Sequence, residues 1–126
     1  MYELTVDSHF SAAHCLREYR GPCARLHGHT WKVSVTIGTS SLDDVGIGMD
    51  FEDIASVLDG ITGRFDHQNL NDLDLFRDMN PTAENLAKII YDLMREKIDT
   101  DRHTVLSVTV AESDRFRVTY YGDIPR

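Results

Sequence analysis

From His27 to Ile37 the odd positions read His27, His29, Trp31, Val33, Val35 and Ile37. Alternation with a period of two is the signature of a β-strand that buries one face, because successive side chains point to opposite sides of a sheet. This stretch therefore demands a sheet with an apolar face. It also places His27 and His29 on that same face, with Gly28 between them giving close access to the backbone.

A second alternating stretch precedes it. From Tyr2 to about His14, the even positions Tyr2, Leu4, Val6, Phe10 and Ala12 carry the apolar side chains. The segment between the two carries Gly21-Pro22 and reads as a loop, so the strands are expected to pair as a hairpin. Asp50 can cap a helix whose apolar positions Phe51, Ile54, Val57, Leu58 and Ile61 follow a three-four rhythm. Residues 65–75, FDHQNLNDLDL, show no periodicity and read as an ordered loop. Asn80 or Thr82 can start a second helix running through Leu86, Ile89, Ile90, Leu93 and Lys97. Leu106, Val108 and Val110 predict a third strand, and Phe116, Val118 and Tyr120 a fourth.

The expected order is β-β-α-α-β-β, an α+β fold with a four-stranded antiparallel sheet and two helices on one face. No linker, repeat or low-complexity tract interrupts the 126 residues, so residues 1–126 read as one domain. Four strands leave edges that other subunits would cover, which predicts a homo-oligomer.

A net charge of −8 argues against a nucleic-acid partner. No apolar run approaches the roughly 18–20 residues a membrane span needs. The first residues lack the charged-then-apolar order of an export signal, and two cysteines make no disulfide framework; reduced thiols in a cytoplasm are expected.

Two imidazoles on one strand face can share a metal ion, and His14, ending the first strand, is the best third donor. The competing reading of His27 and His29 is a polar turn entering a strand, each ring hydrogen-bonded locally. His9 falls on the opposite strand face and His103 in a charged turn, so both read as structural or solvated. Cys23 is either a fourth ligand or a thiol held beside the site as base or nucleophile. A closed zinc site usually brings paired cysteines, absent here. Asp66 and His67 adjoin, and an Asp–His couple can orient and tune a base.

In chain order, FSAAH with His14, CARLHGH with Cys23, His27 and His29, MDFEDI at 49–54, DHQNLN at 66–71, NPTAEN at 80–85 and VAES ending at Ser113 resemble the 6-pyruvoyl tetrahydropterin synthase family. The resemblance covers nearly the whole chain. It implies a tunnelling fold (T-fold) in which three subunits close a β-barrel and two trimers stack into a hexamer with sites at subunit interfaces. It implies one zinc ion per subunit on His14, His27 and His29. Cys23, Asp66 and His67 would form the proton-transfer group, and Glu112 would anchor the pterin ring through paired N–H bonds.

Three residues between Cys23 and His27 resemble the branch that forms 6-carboxytetrahydropterin from 7,8-dihydroneopterin triphosphate in the queuosine pathway. The alternatives are the pyruvoyl-forming branch and a non-catalytic zinc- or pterin-binding module. Ser113 stands where the family often has threonine, and Cys15 lies outside the pattern and reads as packing. Arg17, Arg20, Arg25 and Lys32 could meet the triphosphate or form a solvated fringe, and are left outside the site.

Overall fold

The structure is a computed structural model that describes residues 1–123. Strand β1 (Tyr2–His14) and strand β2 (His27–Thr39) pair antiparallel without a break, from Tyr2 opposite Thr39 to His14 opposite His27. Helix α1 (Phe51–Thr62) follows, then a two-residue strand β3 (Gln68–Asn69) and helix α2 (Ala83–Ile98). Strands β4 (His103–Ala111) and β5 (Arg117–Tyr120) complete a sheet of order β3-β1-β2-β4-β5.

The α+β class and the β-β-α-α-β-β order hold, with one correction: the sheet has five strands rather than four. The addition is β3, which pairs parallel with β1 at Ala12 and Ala13. It lies in the segment read as a loop, ahead of two single 3₁₀ turns, and two residues are too few to leave a periodic trace.

The even positions of β1 and the odd positions of β2 share one face. Phe10, Trp31, Val33, Val35 and Ile37 on that face are buried beneath the helices. Phe10 stacks on Trp31 with ring centroids 5.9 Å apart and meets Phe65 at 5.6 Å. His9, one residue along, is exposed on the other face.

Each helix starts at a cap. The Asp50 carboxylate accepts the Glu52 backbone N–H at 2.9 Å, and the Thr82 hydroxyl accepts that of Asn85 at 3.1 Å, so Thr82 rather than Asn80 caps α2. The buried face of α2 runs Leu86, Ala87, Ile90, Tyr91, Met94 and Ile98. Ile89 and Leu93 are half-buried and Lys97 is exposed, which turns the predicted face by part of a turn.

Two readings of the last strands also shift. The pairing of β2 with β4 slips between Thr36 and Ile37, so Val105 is buried and Leu106 is not. Leu106 instead lies over Gly38, where an added Cβ would meet its Cδ1 at 3.0 Å. Phe116 stands outside β5 and is exposed. His103 is structural as expected: its Nε2 lies 2.8 Å from the Gly48 carbonyl and its Nδ1 3.1 Å from the Thr100 hydroxyl.

The face assignment predicts opposite outcomes for neighbouring substitutions. Phe10→Ala should lower unfolding free energy by about 3–5 kcal/mol in urea denaturation, because a large buried ring is lost. His9→Ala should stay within about 0.5 kcal/mol of the parent.

Candidate active site

His14 and His27 are the last cross-strand pair of the β1–β2 ladder, and His29 lies opposite Ala12. Alternation puts all three imidazoles on the helix-covered face, at the end where the apolar column stops. Trp31 is their floor, its ring centroid 4.8 Å from His14 and 5.1 Å from His29. The Trp31 indole N–H donates to the Ala12 carbonyl at 3.2 Å, locking the floor to the ladder.

Backbone carbonyls orient two of the rings. His14 Nδ1 lies 2.7 Å from the Pro81 carbonyl, and His27 Nδ1 lies 2.6 Å from the Arg25 carbonyl. A ring that donates through Nδ1 keeps its Nε2 lone pair, the form that ligates a metal. The Nε2 atoms of His14 and His29 are buried with no hydrogen-bond partner.

One nitrogen from each of His14, His27 and His29 lies within 4.8 Å of the others. Buried polar atoms without partners are costly, and three converging imidazole nitrogens suit a metal ion. The locally hydrogen-bonded turn does not account for them, and the three histidines could hold one ion. Among the described residues that group holds no cysteine or carboxylate, which leaves Cys23 outside it.

Burial pushes the His14 imidazole below its ordinary value; the Pro81 carbonyl opposes the shift and His27 and His29 add to it. Burial likewise lowers His29, against the opposing charge of Glu112. Glu112 follows β4 and brings its Oε2 to 3.8 Å from His29 Nε2. Its carboxylate therefore borders the histidine cluster.

Cys23 sits half-buried in a 3₁₀ turn, Pro22–Ala24, its carbonyl accepting the Leu16 N–H at 2.8 Å. Asp66 and His67 sit at the β1 edge of the sheet. Asp66 Oδ1 accepts the Ser11 N–H at 2.9 Å, and the His67 N–H donates to the Ser11 carbonyl at 2.6 Å. Asp66 Oδ2 lies 2.9 Å from His67 Nδ1. The Ser11 amide first, and His67 second, hold the Asp66 carboxyl below the usual carboxylate range.

His67 adopts a φ of 58°, a conformation few side chains take without a reason. Its side chain is 83% exposed and lines an open groove at the β1 edge with Ser11, Ala13, Gly28, His29 and Thr30. The fold thus gathers His14, His27, His29 and Glu112, and joins Asp66 to His67. Among the described residues no hydrogen bond links Cys23 to either of the latter.

Sequence reading missed the supports: Pro81 and Arg25 carbonyls, the Trp31 floor and the Ser11 anchor. Backbone carbonyls leave no residue-type signal, although NPTAEN placed Pro81 within a recognisable segment.

A sheet with two helices on one face, carrying at its end a carboxylate and three convergent imidazoles that could hold a metal ion, defines a protein of the T-fold class. The sequence profile of the 6-pyruvoyl tetrahydropterin synthase family matches residues 3–123, and the chain belongs to that family. The 6-carboxy-5,6,7,8-tetrahydropterin synthase of Bacillus subtilis is 39% identical over 119 residues, covering 89% of this chain and 80% of its own. The enzyme of that name from Synechocystis is 32% identical over 111 residues, covering 83% of this chain and 84% of its own. The 6-pyruvoyl tetrahydropterin synthase structure from Caenorhabditis elegans superposes with a TM-score of 0.85 at 23% identity, over 97% of this chain and 96% of its own.

The lowered imidazole values set a pH dependence for the metal-free protein. Above pH 6.5, the ordinary histidine value, neither state gains a proton. Below it, the unfolded chain takes up protons that folded His14 and His29 refuse. Stability should therefore be full above pH 6.5 and fall as pH drops toward the folded values. Urea midpoints of chelator-treated protein at pH 7.5 and 5.0 should show this fall, and His14→Gln should make it smaller.

Proposed function

We propose that this chain is a zinc-dependent 6-carboxy-5,6,7,8-tetrahydropterin synthase, a carbon–carbon lyase of the queuosine pathway. It converts 7,8-dihydroneopterin triphosphate to 6-carboxytetrahydropterin, acetaldehyde and triphosphate. The observation that carries this reading is the pair of buried, unpartnered Nε2 atoms converging with His27 beside the Glu112 carboxylate. The 39% identity to the Bacillus subtilis enzyme supports the carboxy-forming reading over the pyruvoyl-forming one.

In this reading His14, His27 and His29 hold the ion. Zinc held there would supply Lewis-acid chemistry toward the substrate's side-chain hydroxyls, making them more acidic. Glu112 accepts N–H bonds from the guanidine-like edge of the ring, fixing the side chain over the histidines. Cys23, Asp66 and His67 move the side-chain protons. Asp66 stays ionised, because its amide bond disfavours protonation, and so keeps a negative partner at His67 Nδ1. The outward ring nitrogen of His67 is then the atom that exchanges protons with a group reaching it.

The Asp66–His67 couple is held at the open edge of β1 with the His67 ring exposed, and the histidine cluster lies under the helices. This favours an assembly in which one subunit supplies the metal site and Cys23 and a neighbour supplies Asp66 and His67. A cytoplasmic homohexamer, a dimer of trimers, provides such contacts. No helix among the described residues is long and apolar enough to cross a membrane.

Mass analysis after incubation with 7,8-dihydroneopterin triphosphate should show 6-carboxytetrahydropterin and acetaldehyde, and a chelator should suppress both. A product that stops at 6-pyruvoyltetrahydropterin would refute the lyase assignment. Cys23→Ala should lower turnover by about 10²-fold or more while leaving bound zinc unchanged. His29→Ala should lose both zinc and turnover.

Subunit sharing has its own readout. Cys23→Ala and His67→Ala chains, each inactive alone, should regain measurable activity when unfolded together and reassembled. If each site drew all its groups from one chain, the mixture would stay inactive.

A further inference from the structure

Phe116 is a large aromatic side chain that the core does not use. Alternation with Val118 and Tyr120 would turn it inward, yet it stands one residue ahead of β5 and is 59% exposed. The last ladder pair of β4 and β5 is Ala111 with Arg117. One step further, the Glu112 N–H donates to the Phe116 carbonyl at 3.0 Å. Antiparallel pairing therefore continues by one residue, and Glu112 and Phe116 stand opposite each other.

Opposed residues of an antiparallel pair carry their side chains on the same face, Cβ atoms about 4.5–5.5 Å apart. Val110 and Val118 form such a pair two residues deeper, Val110 buried and Val118 packed against the core. Glu112 and Phe116 extend that column to its open end. Both line one cavity of about 300 Å³ with Ala83 and Glu84, from the first turn of α2, and Arg115 and Arg117. The Arg115 guanidinium lies over the Phe116 ring, 5.2 Å from its centroid.

We propose that Phe116, with Arg115 on one side of its ring, is the stacking surface for the pterin ring whose N–H edge Glu112 accepts. This rests on the pterin reading of the Glu112 site. A carboxylate fixes the edge of a flat bicyclic ring but leaves it free to tilt about that edge. An aromatic face one cross-strand spacing away removes the tilt and adds affinity without reading the substituents. The guanidinium behind the ring extends the stack by a cation–π contact.

The test uses neopterin, which carries no phosphate, as a fluorescent binding probe, and 7,8-dihydroneopterin triphosphate for turnover. Phe116→Ala should weaken neopterin binding about fivefold or more and raise KM in step, with kcat within about twofold. Phe116→Trp should restore both, and Arg115→Ala should weaken binding by less than Phe116→Ala. Neopterin binding by Phe116→Ala within about twofold of the parent overturns the proposal, as does a failure of Phe116→Trp to restore it. Glu112→Gln separates the two levels. If it abolishes neopterin binding while Phe116→Ala does not weaken it, only the stacking role fails. If the parent binds no neopterin, or Glu112→Gln binds it unchanged, the pterin reading fails with it.

Discussion

The unbroken β1–β2 ladder is the constraint on which the site depends. Thirteen consecutive pairs bring His14 opposite His27, and with it His29 opposite Ala12. A slip of one residue would turn every side chain of one strand to the other face, sending Phe10 or Trp31 into water along with the imidazoles. The burial that stabilises the core thus also enforces the histidine geometry, since both follow from one register. Trp31 couples them directly, stacking on Phe10 and supporting His14 and His29.

The cluster sits where the core ends, and that position sets its electrostatics. Burial lowers His14 and His29, which keeps both neutral and able to ligate, while carbonyls of Pro81 and Arg25 point the free nitrogens inward. Holding such nitrogens dry without partners costs stability, which an ion bound there would return. Glu112, near enough to oppose the shift of His29 yet still partly exposed, is placed to take a ligand's donors.

Alternation made β1, β2 and the histidine face legible from the residues alone, because burial of one sheet face acts at every second position. What stayed hidden depends on contacts between distant segments. β3 is a two-residue pairing whose only determinant is an edge of β1. The slip at Thr36 and Ile37 exchanges Leu106 for Val105 in the core, and both are apolar, so composition is silent between them. Phe116 has the parity of a core residue, but the strand begins after it. For the site, the grouping of His14, His27 and His29 followed from strand parity and from the family resemblance, whereas the carbonyls that orient the rings have no side-chain signature.

The helix-free face and the sheet edges differ in what they ask of a neighbour, and the proposed assembly rests on the edges. The side chains of that face are polar and pair with one another: Thr5 with Thr36 at 3.1 Å, Asp7 with Lys32 at 3.3 Å, and Thr109 with Thr119 at 2.7 Å. Such a face needs no apolar cover and suits a wetted surface or the lumen of a barrel. The edges are different. β3 covers β1 only at Ala12 and Ala13, leaving Tyr2–Ser11 without a further strand among the described residues. An open edge of that length is a pairing surface. Asp66 and His67 stand at its end, rigidly held through Ser11 yet with the ring of His67 turned outward. In the proposed assembly, a neighbour pairing along this edge would meet that imidazole first, so closing the sheet edge and supplying the proposed proton-transfer group would be one event.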